Sequence, residues 1–308
     1  MALLTRGTLL AQGFTDDSIR SAVHAAQLRR VWSGVYTRQP PLTPWDEYRL
    51  TVRAAALGSD GSGVVSHQSA GALWRMPMLL PDRSRVHTTI DDRHGGGITS
   101  RHRHIHPRPL RVADTVVLDG VPVTSRARTA VDIAMAGTYE QALAVIDGVR
   151  RIPRFPRPTD PAPVSVDELS QIVEHLGPRR GHRVVKRAIA DSVAASESVG
   201  ESWSRARMLQ WRLPMPSLQE EFRIDGRSYF ADFRWGRLVG EFDGDDKYES
   251  DSERRRSEKR RDGDFGTLGI TVCHWTWQDL TDRHRFFAIL TRALVGAGVL
   301  ATPPPFPG

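Results

Sequence analysis

Asp232, Glu241 and Asp243 are the residues whose types and spacing most directly suggest chemistry. They lie on two strand-like runs, Tyr229 to Trp235 and Leu238 to Asp243, separated only by Gly236-Arg237, a Gly-X pair suited to a two-residue type II′ hairpin. That turn predicts a register in which Trp235 faces Leu238, Arg234 faces Val239, Phe233 faces Gly240, and Asp232 falls opposite Glu241. Alternation puts Ala231, Phe233, Trp235, Leu238, Gly240 and Phe242 on a core face and the three carboxylates on the other. Like charges facing each other across a strand pair cost up to about 1 kcal/mol at an exposed site and more where water is excluded. Three remedies exist: protonation of one acid, neutralisation by a base, or a divalent cation. In the second case Arg234 and Lys247 would make this a salt-bridged surface hairpin. In the third, oxygen-only ligands favour Mg²⁺ (or Mn²⁺) held by Asp232, Glu241 and Asp243.

The elements that must hold these acids follow from neighbouring patterns. Ser198-Val199-Gly200-Glu201 fits a capping box opening a helix before the hairpin. After it comes a charged helix near Glu253–Phe265, then a strand around Ile270–Trp277 and a C-terminal helix near Asp282–Ala297. On the charged helix Arg254, Arg255, Arg256, Lys259, Arg260 and Arg261 could line a path for a phosphate backbone. Glu253 and Glu258 beside them allow a plain ion-paired face instead. Trp275 and Trp277, on a strand expected to be central, read as core.

The pattern resembles the PD-(D/E)XK nuclease superfamily, and within it the very-short-patch-repair (Vsr)-like endonucleases. The likeness covers about residues 190–295. It is carried by Ser198 to Ser202 with Arg205, Leu213 to Pro216, Gln219, Asp232, Gly240 to Gly244 with Lys247-Tyr248, Glu258 to Asp262, Gly269, and Val272 to Leu280. It implies an α/β/α core with a mixed sheet, metal-binding acids at Asp232 and Glu241, and a third acid at Glu201 on the preceding helix. Asp243 stands where such nucleases usually have lysine, so Lys247, Lys259 or the metal would have to polarise the attacking water and offset developing charge.

The front of the chain reads differently. A helix is expected from Leu3 to Leu10, a break at Gly13, and a second helix capped by Thr15-Asp16-Asp17 with Ile19, Ala22, Val23 and Ala26 inward. Leu28 to Tyr36 follows as a two-stranded wing. This is a winged helix-turn-helix pattern. Its second helix would present Ser18, Arg20, Ser21 and His24 to a DNA major groove, with Arg29, Arg30 and Arg38 near phosphates. Gly13-Phe14-Thr15, Leu28 to Tyr36, Ser66 to Trp74 and Val123 to Asp132 resemble the N-terminal domain of AbiEi-type antitoxins over roughly residues 1–135. That resemblance implies a winged-helix DNA binder followed by a small α/β domain. Farther on, Arg101-His102-Arg103-His104-Ile105-His106 aligns three imidazoles on one strand face, but i,i+2 spacing of nearly ~7 Å is too long for all three to share an ion; a basic, solvated edge strand is expected.

The chain has 308 residues, 43 Lys+Arg against 36 Asp+Glu, 39% hydrophobic residues and one cysteine, which excludes collagenous, disordered and disulfide-framework classes. Residues 1–165 carry 21 Arg, no Lys and 14 acids, whereas residues 166–308 balance 22 bases with 22 acids. A basic front suits a polyanion, and DNA is the expected partner. No segment has signal-peptide or membrane-span character, so a cytoplasmic protein without membrane contact is expected. Five prolines in residues 151–163 mark a linker. The expected division is α/β throughout: winged helix (1–60), small α/β domain (61–150), Pro-rich linker (151–165), helical connector (166–190), nuclease-like domain (191–300) and disordered tail (301–308). Function is expected to be metal-dependent DNA endonuclease activity, in phage defence, repair or a toxin–antitoxin-like setting with a cognate toxin or antitoxin protein as a further partner. The alternative is a non-catalytic DNA-binding regulator or antitoxin with a degenerate nuclease fold.

Overall fold

A computed structural model describes residues 3–59, 63–92, 97–244 and 251–307; within 251–258 it describes the backbone alone. The fold is mixed α/β, and the chain divides into two compact units: residues 1–149 with 164–190, and residues 150–163 with 191–308.

The first unit opens with β1 (Leu4–Thr5), α1 (Arg6–Ala11), α2 (Asp16–His24), β2 (Arg29–Trp32) and β3 (Val35–Thr37). The helix expected from Leu3 starts only at Arg6, because Thr5 caps it and Leu4-Thr5 pair with β3. Leu9, Ile19, Ala22 and Leu28 form the small core beneath the two helices. Ala26 lies past the helix end at φ 55 and is exposed. The wing turns at Gly34, whose φ of 69 is one a side chain would resist.

Next come α3 (Pro44–Leu57), β4 (Val64–Val65), α4 (His67–Leu73), β5 (Val86–Ile90), β6 (Ile98–Thr99), β7 (Arg103–Pro107), β8 (Thr115–Leu118) and β9 (Val121–Thr124). The six strands form one mixed sheet in the order β6-β7-β5-β4-β9-β8. β7 therefore lies inside the sheet, between β6 and β5, and is not the expected solvated edge; His106 is buried on it. Four helices, α5 (Arg126–Ala136), α6 (Tyr139–Arg150), α7 (Val166–Leu176) and α8 (His182–Asp191), share a core that includes Val131, Val145, Ile146, Leu169 and Val185. Residues 166–190, expected to be a connector, thus contribute to the first unit's core.

The second unit contains α9 (Val199–Gln210), β10 (Ser217–Ile224), β11 (Arg227–Trp235), β12 (Leu238–Asp243), α10 (Asp251–Thr267), β13 (Thr271–Thr276), α11 (Trp277–Thr281) and α12 (Arg283–Gly296). Its sheet runs β10-β11-β12-β13, antiparallel except for the parallel pair β12–β13. Trp275, fully buried as expected, packs against Phe233 and Phe286 and donates Nε1–H to Ser204 Oγ at 2.8 Å, so α9 and α12 cover one face. Trp277 is half-buried between Phe242 and Trp203. On the other face Phe265 of α10 packs with Phe222, Val239 and Ile270. Helices thus lie on both faces of a mixed sheet, as the expected α/β/α arrangement requires.

The Pro-rich segment is not a free linker. Ile152 N–H donates to Ala194 O at 3.1 Å, and Arg154 pairs with Glu197 at 3.0 Å while its guanidinium lies 3.5 Å from the Phe230 ring centroid. Proline forbids regular structure but leaves such side-chain anchoring open. The tail, expected to be disordered, is held by Phe306, stacked on His284 and set edge-on to Phe287.

Candidate active site

The β11–β12 hairpin has the register its turn demands: Trp235 with Leu238, Arg234 with Val239, Phe233 with Gly240. Gly236 sits at φ 60. The ladder ends there. At the next step Asp232 Oδ2 accepts the Phe242 N–H at 3.0 Å, so a carboxylate takes the place of a backbone carbonyl. Asp232 Oδ1 meanwhile accepts from Gln219 Nε2 at 3.1 Å, and the same amide nitrogen donates to Glu201 Oε2 at 3.0 Å. Gln219, at φ 53 on β10, thus ties the acid of α9 to the acid of β11.

Glu201 is buried, and its capping box closes only halfway. Ser198 Oγ accepts the Glu201 N–H at 3.1 Å, but the Glu201 carboxylate turns to the Glu197 N–H, one residue before the cap, at 2.9 Å. The helix can approach β12 this closely because residue 200 is glycine: a Cβ there would stand 2.0 Å from the Phe242 ring. Glu241, also buried, accepts from Arg261 Nη2 at 2.6 Å.

Burial dominates the electrostatics. It pushes Glu241 up to about 8 and Glu201 up to about 7, the negative charge of Asp232 adding to both, and it raises Asp232 as well. Three acids in one cluster thus hold protons more tightly than free carboxyls do, even with the Arg261 guanidinium on Glu241.

Asp243 has a partner on the neighbouring strand. Expected among the metal ligands, it faces His274, the next strand over, with Nδ1 at 3.2 Å, while His274 Nε2 reaches Asp262 at 3.2 Å. The Asp243 hydrogen bond, with Asp262 behind it, lifts His274 to about 9, so an imidazolium occupies this corner. Among the described residues the acids do not bring three ligand oxygens within 4.8 Å of one another. The oxygen donors that remain for a hard cation are those of Asp232 and Glu241, with Glu201 beyond the Gln219 amide.

The other expected site residues are dispersed. Lys247 lies outside the described residues, and for Arg255 only the helical backbone is described. Lys259 and Arg260 are exposed on α10. Arg234 pairs with Glu220, not with the acid cluster. Residues that sequence reasoning left without a role are Gln219, Arg261 as the Glu241 partner, and His274. The last became visible only through the parallel β12–β13 register, which sets Glu241 beside His274. Beside Glu197, a cleft of about 320 Å³ is lined by Arg151, Arg154 and Arg157.

In the first unit, Arg20, His24, Arg30 and Arg38 are exposed. Arg29 is not free for phosphate, because its guanidinium grips Glu47 with both terminal nitrogens. Ser18 is spent in a capping box with Thr15.

No family model matches the chain. It is 28% identical over 270 residues to two uncharacterized proteins of Mycobacterium tuberculosis, Rv2248 of strain H37Rv and MT2308 of strain CDC 1551; each alignment covers 84% of this chain and 89% of the relative. Among solved structures, the RV2827C protein from Mycobacterium tuberculosis aligns with a TM-score of 0.41 at 13% identity, over 72% of this chain and 84% of that one.

Proposed function

We propose that the second unit hydrolyses phosphodiester bonds of DNA with a divalent cation, Mg²⁺ or Mn²⁺, held by Asp232 and Glu241. The observation that carries this reading is the acid cluster itself: buried Glu201 and Glu241 and half-buried Asp232 are linked or apposed in one site, and burial makes their charged forms costly unless a cation enters. The donor set is oxygen-only, which suits a hard ion that keeps water and phosphate as further ligands. Bound there, such an ion lowers the pKa of its water and draws charge from a phosphate oxygen.

The protein's own groups have distinct tasks. Glu201, with a carboxyl near neutrality, is suited to take a proton at physiological pH. Gln219 fixes the separation of Glu201 and Asp232. His274, as an imidazolium beside Asp243, brings positive charge to the side of the site where a lysine is usual in the nucleases this chain resembles. Arg151 and Arg157, which line the cleft beside Glu197, offer a phosphate track. The helix α2 and the wing of the first unit would bind the duplex through Arg20, His24, Arg30 and Arg38.

The test is plasmid cleavage by the full chain with Mg²⁺ or Mn²⁺. Asp232→Ala and Glu241→Ala should each lower the rate by about 100-fold or more. Cleavage unchanged in both variants overturns the site. No cleavage by the unaltered chain, together with DNA binding that weakens steeply as salt rises, favours the regulator reading, for which the Asp243–His274 pair in place of lysine is the specific observation.

A further inference from the structure

The first unit contains a second cluster of metal-ligating side chains. β5 and β7 are parallel neighbours in register, with His87 beside His104 and Thr89 beside His106. Side chains at i and i+2 share a strand face, so this register gathers His87, His104 and His106 on one side of the sheet. Their ligand nitrogens all lie within 4.8 Å of one another, and His87 Nδ1 stands 3.0 Å from His106 Nε2. Nitrogens bound tetrahedrally to zinc at 2.0–2.1 Å are separated by about 3.3 Å, so the closest pair already has nearly the spacing a shared ion requires. The strand spacing that argued against His102, His104 and His106 as a triad is bypassed, because the third imidazole comes from the neighbouring strand and His102 remains exposed outside the cluster.

We propose that His87, His104 and His106 form a binding site for a transition-metal ion of the zinc class, with a fourth coordination position left for water or an exogenous ligand. Three imidazoles and no thiolate suit Zn²⁺ and its borderline neighbours over Mg²⁺, so this site is distinct in chemistry from the acid cluster of the second unit.

The surroundings hold the rings as a ligand set requires. His67 stacks on His106 with centroids 3.7 Å apart, its Nδ1 bonded to Ser66 Oγ, which Thr89 Oγ1 engages from the sheet at 2.8 Å. Ser69 Oγ accepts the His87 backbone N–H at 2.8 Å and is tied to the Tyr48 hydroxyl. His87 is 7% exposed and His106 8%, whereas His104 is half-exposed, which leaves a side from which an ion can enter.

Cobalt titration of the full-length, chelator-stripped protein tests the site, since four-coordinate, nitrogen-ligated Co²⁺ has intense visible bands and oxygen-ligated six-coordinate Co²⁺ has weak ones. One equivalent per chain should develop these bands and Zn²⁺ should displace it. The bands should persist in His102→Ala and Asp232→Ala and vanish in His104→Ala. His104 is the variant of choice because its half-exposed ring can be removed with the fold intact, as circular dichroism will show; His87→Asn supplies a second test of the same loss. Absence of intense bands at one equivalent, bands unaltered by His104→Ala, or their loss in Asp232→Ala each overturns the assignment.

Discussion

Both units bury carboxylates, and they neutralise them in opposite ways. In the first, Arg128 is fully buried between two acids: Nη1 donates to Asp114 Oδ2 and Nε to Asp132 Oδ1, each at 3.0 Å, and Nη1 also reaches Pro109 O. Burial works against Asp114, yet Arg111 and Arg128 hold its carboxyl below the ordinary value; at Asp132 burial wins and Arg128 only opposes the rise. In the second unit Arg261 contacts Glu241, while Glu201 and Asp232 are joined through the Gln219 amide. The difference lies in where the cation sits: Arg128 is fully buried between both acids of the first unit, whereas in the second Arg261 contacts Glu241 and His274 lies at its side.

Breaking the Arg128 network should have the larger effect. Arg128→Ala leaves Asp114 and Asp132 buried with Arg111 as the remaining cation on Asp114, and unfolding free energy should fall by about 3–5 kcal/mol in denaturant titrations. A loss below about 1 kcal/mol would mean that the first unit does not depend on its internal cation.

The acids of the second unit predict a pH dependence of unusual sign. Glu241 moves from an ordinary 4.5 to about 8 on folding, so the folded state binds the proton more tightly. Its contribution is favourable while both states are protonated and is lost as pH rises from about 4.5 through 8, the reverse of a salt-bridged carboxylate. In chelator the unaltered chain should therefore lose of the order of 2–4 kcal/mol across this window relative to Glu241→Gln, and Mn²⁺ should restore stability most at the alkaline end. Parallel melting curves for the two proteins with pH would contradict the premise that burial outweighs the Arg261 pair at Glu241.

These contrasts were legible in the sequence to unequal depth. The hairpin register follows from Gly236-Arg237 and alternation, because a two-residue turn leaves one pairing. What alternation could not show is that Asp232 leaves the ladder to accept the Phe242 N–H, or that Gln219 would stand between two acids. Both depend on local departures from strand geometry. His274 beside Glu241 and His87 beside His104 depend on parallel pairings between strands separated by a crossover, and no short-range pattern encodes such a register. The Pro-rich run was read as an extended linker, and its anchoring through Ile152 and Arg154 was not legible, since composition gives propensity and not tertiary contacts.

A smaller perturbation sharpens the comparison by altering only geometry. Gly200→Ala places a methyl group where Phe242 now lies, between Glu241 and Asp243 in the chain, and must push the ring or the helix aside. Stability should fall by about 1–3 kcal/mol, as for overpacked cores. If the acid cluster performs the chemistry, DNA cleavage should fall even at temperatures where the variant remains fully folded. Cleavage at the original rate by the folded variant would show that the approach of α9 to β12 does not matter to the reaction.

The smallest effect concerns His274, which faces Asp243. His274 rises from 6.5 to about 9 on folding, through its bond to Asp243 first and Asp262 second. A raised histidine stabilises fully below its unfolded value and loses that contribution as pH climbs from about 6.5 through 9. His274→Gln should thus cost about 1–2 kcal/mol at pH 6, a figure reduced for the partial exposure of all three side chains, and almost nothing above pH 9. Cleavage distinguishes a charge role from mere packing. A positive group acting on the reacting phosphate makes the ratio of unaltered to His274→Gln rates shrink as pH passes 9, while a packing role leaves that ratio constant; His274→Lys, which restores charge without the imidazole, should recover part of the rate in the first case alone.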